Sequence, residues 1–287
     1  MNRGAVAIVD ALGFRGIWGD VAKPSTAVLA SLRSIGSAAQ KEIGHCSRFL
    51  ERKSFPDEIT KLLKGPFMKV IQLSDTIVVA AGRTQRRRKP WQRHTKAWLE
   101  KYNLSAEELE DAVDAWLRYL VCRSVCAILK AAALCDPSLI YRGVVTVGKF
   151  AIDETFLLGP AVDEAAELMD LADGPFVWLS PTANRLRHVI HEVEDDPWDN
   201  IAVRFRVPLK GGRSLRTHVL NPFVFCSKEE RRSVERRIMA RLESTKIDVL
   251  VKKDNARDLV EAIRRKERLA ELAKRSRENR KANASPT

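Results

Sequence analysis

The chain has no cysteine pattern of the kind that holds a zinc ion or a disulfide framework. Its five cysteines are scattered, and Cys122 and Cys126, four apart inside an apolar helical pattern, read as buried reduced thiols. This usage points to the cytoplasm. There is also no charged leader followed by a long apolar run and a small-residue cleavage site, because the first apolar stretch is interrupted by Asp10. Neither a signal peptide nor a membrane span is expected. Internal repeats and low-complexity segments are absent. Aromatic residues make up only 7% of the chain and are sparse beside its basic segments, which removes the stacking platforms that single-stranded nucleic acid needs.

What is abundant is positive charge, +13 over 287 residues, and its placement matters more than its sum. Residues 227–287 hold 19 Lys and Arg against 11 Asp and Glu, and residues 83–96 hold seven basic residues and no acidic one. The remainder is close to neutral. A neutral body with two basic appendages does not describe a nucleic-acid groove, so nucleic acid is not the expected partner. With 45% hydrophobic residues the chain can bury a full core. The expected division is a body over 1–226 and a charged helical extension over 227–287, which docks on the body, pairs with a partner chain or frays. It is expected to tune assembly or stability and to hold no catalytic group.

The β-branched run over residues 5–9 reads as an interior strand ending at Asp10, followed by a turn through Gly13. Helical spacing follows between about residues 21 and 50. Residues 67–81 hold two β-rich runs separated by Ser74-Asp75, a hairpin with Asp75 at its tip. Ser105 and Glu108 form a capping box that opens a long helix to about residue 134. A hairpin over 139–147 and 150–157, a helix from Pro160 to about Ala172, a strand at 176–179, a short helix capped by Ser180, and strands at 189–193 and 201–209 complete the body. Ser227 and Glu230 form a second capping box. The order predicts an α+β fold, a largely antiparallel sheet with helices covering one face.

Asp10 at a strand end and Asp75 on a neighbouring hairpin can lie side by side as hard oxygen ligands for divalent cations, while a glycine turn can offer its amides to phosphate. Two such ions suit phosphoryl chemistry, one activating the attacking oxygen and one neutralising the leaving group. At these residues the chain resembles the class III nucleotidyl cyclase family. Asp10-Ala-Leu-Gly-Phe14 is similar to the family's first metal-binding segment, and Lys69 through Asp75 to its second. Arg142 through Gly148 resembles the strand after the long helix. Gly159 through Ala166 resembles the dimer-interface helix, and Leu209-Lys-Gly-Gly212 the late phosphate-binding lysine segment.

The resemblance implies a ferredoxin-like sheet, two Mg²⁺ or Mn²⁺ ions held at Asp10, Ala11 and Asp75, and a nucleoside triphosphate substrate. It also implies a cytoplasmic homodimer with composite active sites. Ala11, Leu12, Gly13 and Phe14 would meet the phosphates, and Lys210 would approach them from the partner. Arg142 either replaces a missing arginine or is a strand-end surface charge; Lys69 either lines the pocket or lies along the hairpin. Asp163 and Glu167 stand where the family has an asparagine and an arginine. Ile71 and Phe156 stand where purine cyclases carry polar base readers. The compact layout resembles the pyrimidine cyclases of bacterial Pycsar antiphage systems. It implies a phosphorus-oxygen lyase making cyclic UMP from UTP, with cyclic CMP, a purine product or a catalytically inactive nucleotide-binding module as alternatives.

Overall fold

The computed structural model describes residues 1–12, 25–52, 67–83, 105–153, 156–186 and 197–283. The expected strand at 189–193, Gly13, Phe14 and all of the basic segment 83–96 except Arg83 lie outside them. The fold is α+β, built on an eight-stranded sheet. In chain order the strands are β1 (Asn2–Leu12), β2 (Phe67–Leu73), β3 (Thr76–Arg83), β4 (Ile140–Ile152), β5 (Leu157–Leu158), β6 (Val177–Leu179), β7 (Ala202–Pro208) and β8 (Ser214–Leu220). The helices are α1 (Ser25–Arg52), α2 (Ala106–Leu134), α3 (Pro160–Met169), α4 (Pro181–Asn184), α5 (Pro197–Ile201), α6 (Lys228–Arg241) and α7 (Ile247–Asn283). Strand order is β2-β3-β1-β4-β6-β8-β7, with β5 paired to the far end of β4. Every pair is antiparallel except β4 with β6.

β1 lies between β3 and β4 and is buried on both faces, which is why its sequence is a nearly unbroken apolar run. Alternate residues serve different layers. Ala5, Ala7, Val9 and Ala11 join a core with α1 and α2 through Val28, Ile35, Leu117 and Val121. Val6 and Ile8 join the opposite core with Ala161 and Ala165 of α3 and with Val234, Leu259, Val260 and Ile263 of α6 and α7. Helices therefore cover both faces, where one covered face was expected. The second layer comes from α3 and from the extension, whose apolar residues, thinly spaced in sequence, converge on Phe176, Trp178, Val203 and Val219.

Three further differences from the sequence reading have local causes. β1 continues past Asp10, pairing Ala11 with Tyr141 and Leu12 with Ile140, because β4 is long enough to extend the ladder. β4 is one strand of 13 residues where a turn was expected at Gly148-Lys149. Gly148 serves close packing instead: a Cβ there would stand 3.3 Å from the Ala161 Cβ of α3, beside the bond from Thr146 Oγ1 to the Ala161 carbonyl at 2.7 Å. α3 ends at Met169, short of Ala172. Both expected capping boxes are present, at Ser105 with Glu108 and at Ser227 with Glu230.

One ionic contact fixes the far end of the ladder. Arg3 and Arg83 are register partners, and the fully buried Asp114 of α2 accepts from Arg3 Nε at 2.6 Å and Arg83 Nη2 at 2.8 Å. Removing the carboxylate breaks two charge-assisted hydrogen bonds but leaves guanidiniums that are 43% and 20% exposed and can be rehydrated, so the cost is about 2 kcal/mol, below that of a fully buried pair. Asp114→Ala is therefore expected to lower unfolding stability in denaturant titration by about that amount; a loss below ~1 kcal/mol would show that the clamp is dispensable. Truncation before Ser227 uncovers the face formed by Trp178 and Val203 and is expected to give aggregated protein. A soluble, cooperatively folding 1–226 fragment would contradict this.

Candidate functional site

Asp10 stands directly across from Thr76 on β3 and Arg142 on β4. Ladder partners project to the same face of a sheet, so the three side chains form one row over three adjacent strands. Thr76 Oγ1 donates to Asp10 Oδ1 at 2.9 Å, which fixes the carboxylate and leaves Oδ2 toward Arg142 Nη2 at 4.0 Å. Arg142 also pairs closely with Asp170, the residue that caps α3 at its C-terminus. Its Nε is buried without a hydrogen-bond partner among the described residues. The site is partly open, with the Asp10 side chain 24% exposed and that of Arg142 17%.

Asp75 reaches the row through a tight turn. β2 and β3 are joined by Ser74 and Asp75 alone, with Leu73 paired to Thr76. Ser74 carries φ of 59°, the left-handed value that the first position of such a hairpin demands. The turn brings the Asp75 charge close enough to act on Asp10. Partial burial raises the Asp10 carboxyl above its ordinary range; Asp75 and Asp170 push it the same way, against the Thr76 hydrogen bond and the Arg142 charge. Two repelling carboxylates beside a single guanidinium are a donor set suited to divalent cations. Two carboxylates, with the remaining ligands supplied by phosphate and water, are the usual protein share of a Mg²⁺ or Mn²⁺ site. Among the described residues, no cluster of three or more His, Cys, Asp or Glu converges as a metal cage.

The other candidates are distributed over the molecule. Ala11 packs in the α2-side core, on the face opposite Asp10, and Leu12, on the Asp10 face, packs with Ile140, Leu242 and Ala256; neither apolar side chain can ligate. Any contribution from them to metal or phosphate is through the main chain. Ile71 pairs with Val78, one row along the same face, and packs into the core there. Lys69 is two rows from Asp10, about 13 Å along the strands. Phe156, 68% exposed, lies in the turn beyond the other end of β4, its amide donating to Asp153 Oδ1 at 2.7 Å. The ten residues from Arg142 to Ile152 place it about 30 Å from the Asp10 row. Lys210 is exposed in a turn with Gly211 and Gly212, both at positive φ, and its amide donates to the Leu171 carbonyl at 2.8 Å, next to Asp170. Asp163 and Glu167 are exposed along α3, without an ion pair among the described residues.

Thr76, Asp170 and Tyr141 escaped the sequence reading. Thr76 was within reach, since a two-residue turn fixes it opposite Asp10. Asp170 is one carboxylate among many, and its role comes from the end of a helix. The Tyr141 hydroxyl is buried without a hydrogen-bond partner among the described residues. Burial raises its pKa, with the Cys135, Asp75 and Asp10 charges adding to the shift. The thiols of Cys122 and Cys126 are free and fully buried; burial pushes Cys122 up to about 12, so they are not nucleophiles. No helix among the described residues is long and apolar enough to cross a membrane.

No family model matches the chain, and no curated protein matches it. Among solved structures it is similar to the catalytic core of a rhodopsin-guanylyl cyclase with converted specificity in complex with ATPalphaS, at 11% identity and a TM-score of 0.40. That alignment covers 77% of this chain and 97% of the other. A likeness of this depth identifies neither a substrate nor a catalytic residue.

The raised Asp10 carboxyl gives a prediction with a definite sign. The folded protein binds this proton more tightly than the unfolded chain, so the group favours folding as pH falls through its raised value toward the ordinary aspartate pKa of about 3.9, and opposes folding above it. Asp10→Asn is expected to raise the melting temperature at neutral pH, with the gain disappearing near pH 4. Mn²⁺ is expected to raise the melting temperature of the wild-type chain more than that of the variant. A less stable variant at neutral pH, or equal Mn²⁺ shifts, would contradict the charge-repulsion account.

Proposed function

We propose that this protein is a nucleotidyl cyclase that converts a pyrimidine triphosphate, UTP in first place, to its 3′,5′-cyclic monophosphate and pyrophosphate. The observation that carries the reading is the convergence of Asp10, Asp75 and Arg142 toward one end of the central strands. These are two carboxylates that need a cation beside one cation able to meet phosphate. Asp10 and Asp75 would hold two Mg²⁺ or Mn²⁺ ions, which supply Lewis acidity toward the triphosphate and lower the pKa of the ribose 3′-hydroxyl. Thr76 keeps Asp10 Oδ1 oriented, and Asp170 holds Arg142 beside the place where charge accumulates. In the reaction the 3′-oxygen bonds to the α-phosphorus, the bond from that phosphorus to the bridging oxygen breaks, and the hydroxyl proton passes to solvent.

A homodimer with composite sites follows from the same reading. Phe156 is too far from Asp10 to meet the same nucleotide within one protomer, and Asp163 and Glu167 stand exposed on α3. The partner would bring this surface over the Asp10 row, with Lys210 from its glycine turn approaching the triphosphate. Ile71 and Phe156 offer a purine no hydrogen-bonding groups, and an unpaired purine edge costs about 1–3 kcal/mol, roughly ten- to a hundredfold in selectivity. UTP over CTP, and a role as second-messenger synthase in antiphage defence, rest on the resemblance to Pycsar cyclases. The acidic residues at 163 and 167 favour a second reading, a nucleotide-binding module without turnover.

The test is incubation with the four ribonucleoside triphosphates, singly and in equal mixture, with Mn²⁺ or Mg²⁺ and identification of products by mass. Cyclic UMP is expected to dominate, and Asp10→Ala and Asp75→Ala are each expected to lose activity by about a hundredfold or more in a folded protein. Dominant cyclic AMP or cyclic GMP would overturn the pyrimidine assignment. Activity within tenfold of wild type in both variants would overturn the two-metal assignment. A UTP-induced rise in melting temperature with no product from any triphosphate would establish the inactive module.

A further inference from the structure

β7 is the outer strand of the sheet, paired with β8 from Ala202 to Pro208. Main-chain groups of successive strand residues point alternately to the two sides, and two hydrogen bonds fix the phase here. The Asn221 amide donates to the Ile201 carbonyl and the Leu209 amide to the Arg213 carbonyl, both at 2.8 Å, so odd-numbered residues of β7 face β8. Even-numbered residues face outward. Lys266 Nζ of α7 donates to the Ala202 carbonyl on that outer side at 3.0 Å. The edge therefore presents the amides and carbonyls of Arg204 and Arg206, and ends at Pro208, which has no N–H to offer.

A groove of about 870 Å³ runs along this edge between β7 and α7. Its strand side carries Arg204 and Arg206 with Arg216, the register partner of Arg206, all on one face. Val203 and Phe205 point to the other face, toward Ala262 and Leu269 of the helix wall, where Arg265 also lines the groove. None of Arg204, Arg206, Arg216 or Arg265 has an ion-pair partner among the described residues. Charged side chains along an edge discourage pairing with another copy of the same chain, and they equally favour a strand of opposite charge.

We propose that β7 accepts an acidic, extended segment of a partner protein as an additional strand seated between the edge and α7. The segment alternates: acidic side chains meet Arg204, Arg206 and Arg216, and the intervening apolar ones rest between Phe205 and the Ala262–Leu269 side of the helix. A polypeptide fits where a nucleic acid does not. The edge offers donors and acceptors in alternation, whereas a phosphate chain supplies acceptors alone. Phe205 still lines the groove, but its ring is tilted on Phe176 with centroids 5.6 Å apart, so it is not a free platform for stacking bases.

The test uses the full chain and a fluorescein-labelled octapeptide of alternating Glu and Val, followed by fluorescence polarisation. Saturable binding is expected, reduced at least tenfold by the double substitution Arg204→Glu and Arg206→Glu. Two further peptides, N-methylated at odd or at even positions, are given to the wild-type chain, so that this arm is independent of how the variant folds. One of the two is expected to bind at least tenfold more weakly, because it lacks the amides that face β7. Unchanged affinity for both methylated peptides, absence of saturable binding, or tighter binding of an eight-nucleotide oligouridylate would each overturn the proposal.

Discussion

Everything placed at the candidate site depends on the register of one strand. β1 is hydrogen-bonded on both edges and covered on both faces, so its alternation assigns each residue to a layer without slack. A slip of one residue would send Asp10 into the α2-side core and turn Val9 and Ala11 toward Arg142. The cost of burying a carboxylate among Leu117, Val121 and Val125 makes that slip prohibitive. The Asp114 clamp at Arg3 and Arg83 holds the opposite end of the same ladder. The row of Thr76, Asp10 and Arg142 is thus a consequence of how the apolar residues must be buried.

The row is also where the structure keeps electrostatic tension. Asp10 and Asp170 both pair with the Arg142 guanidinium, Asp75 adds its charge at Asp10, and the Asp10 carboxyl is raised above its ordinary range. One guanidinium does not offset three carboxylates, and the surplus negative charge attracts cations. The same arginine ties the sheet to the end of α3, and the next carbonyl along, Leu171, anchors the Lys210 turn. A charge brought to Asp10 is therefore felt by Arg142, by the C-terminus of α3 and by the main chain at Lys210.

How much of this was legible depended on whether a signal was local. Asp10 and Asp75 could be read because each punctuates a strong β pattern, and Ser105 and Ser227 because a capping box is a four-residue motif. The continuous β4 was not legible: Gly148 followed by a lysine looks like a turn, and only the approach of Ala161 reveals that the glycine makes room for a helix. Asp170 owes its role to geometry acquired 28 residues after Arg142 in the chain. β8 carries arginine and histidine on one face, which masked its alternation. The covering of the second face was hidden for a related reason, since α6 and α7 bury few residues per turn and look polar in sequence.

The extension has a bearing on the site as well as on stability. Leu12 and Ile140 form the row immediately beyond Asp10 and Arg142 on the same face, and they pack against Leu242 and Ala256 at the junction of α6 and α7. On the other side, α3 lies over the rows that include Val6 and Thr146, with the Thr146 hydroxyl bonded to the Ala161 carbonyl. On this one face Asp10 therefore sits between α3 and the junction of α6 and α7, with Arg142 and its partner Asp170 beside it. The β2–β3 hairpin stands on the remaining side, and Asp75 at its tip acts on the Asp10 carboxyl by charge.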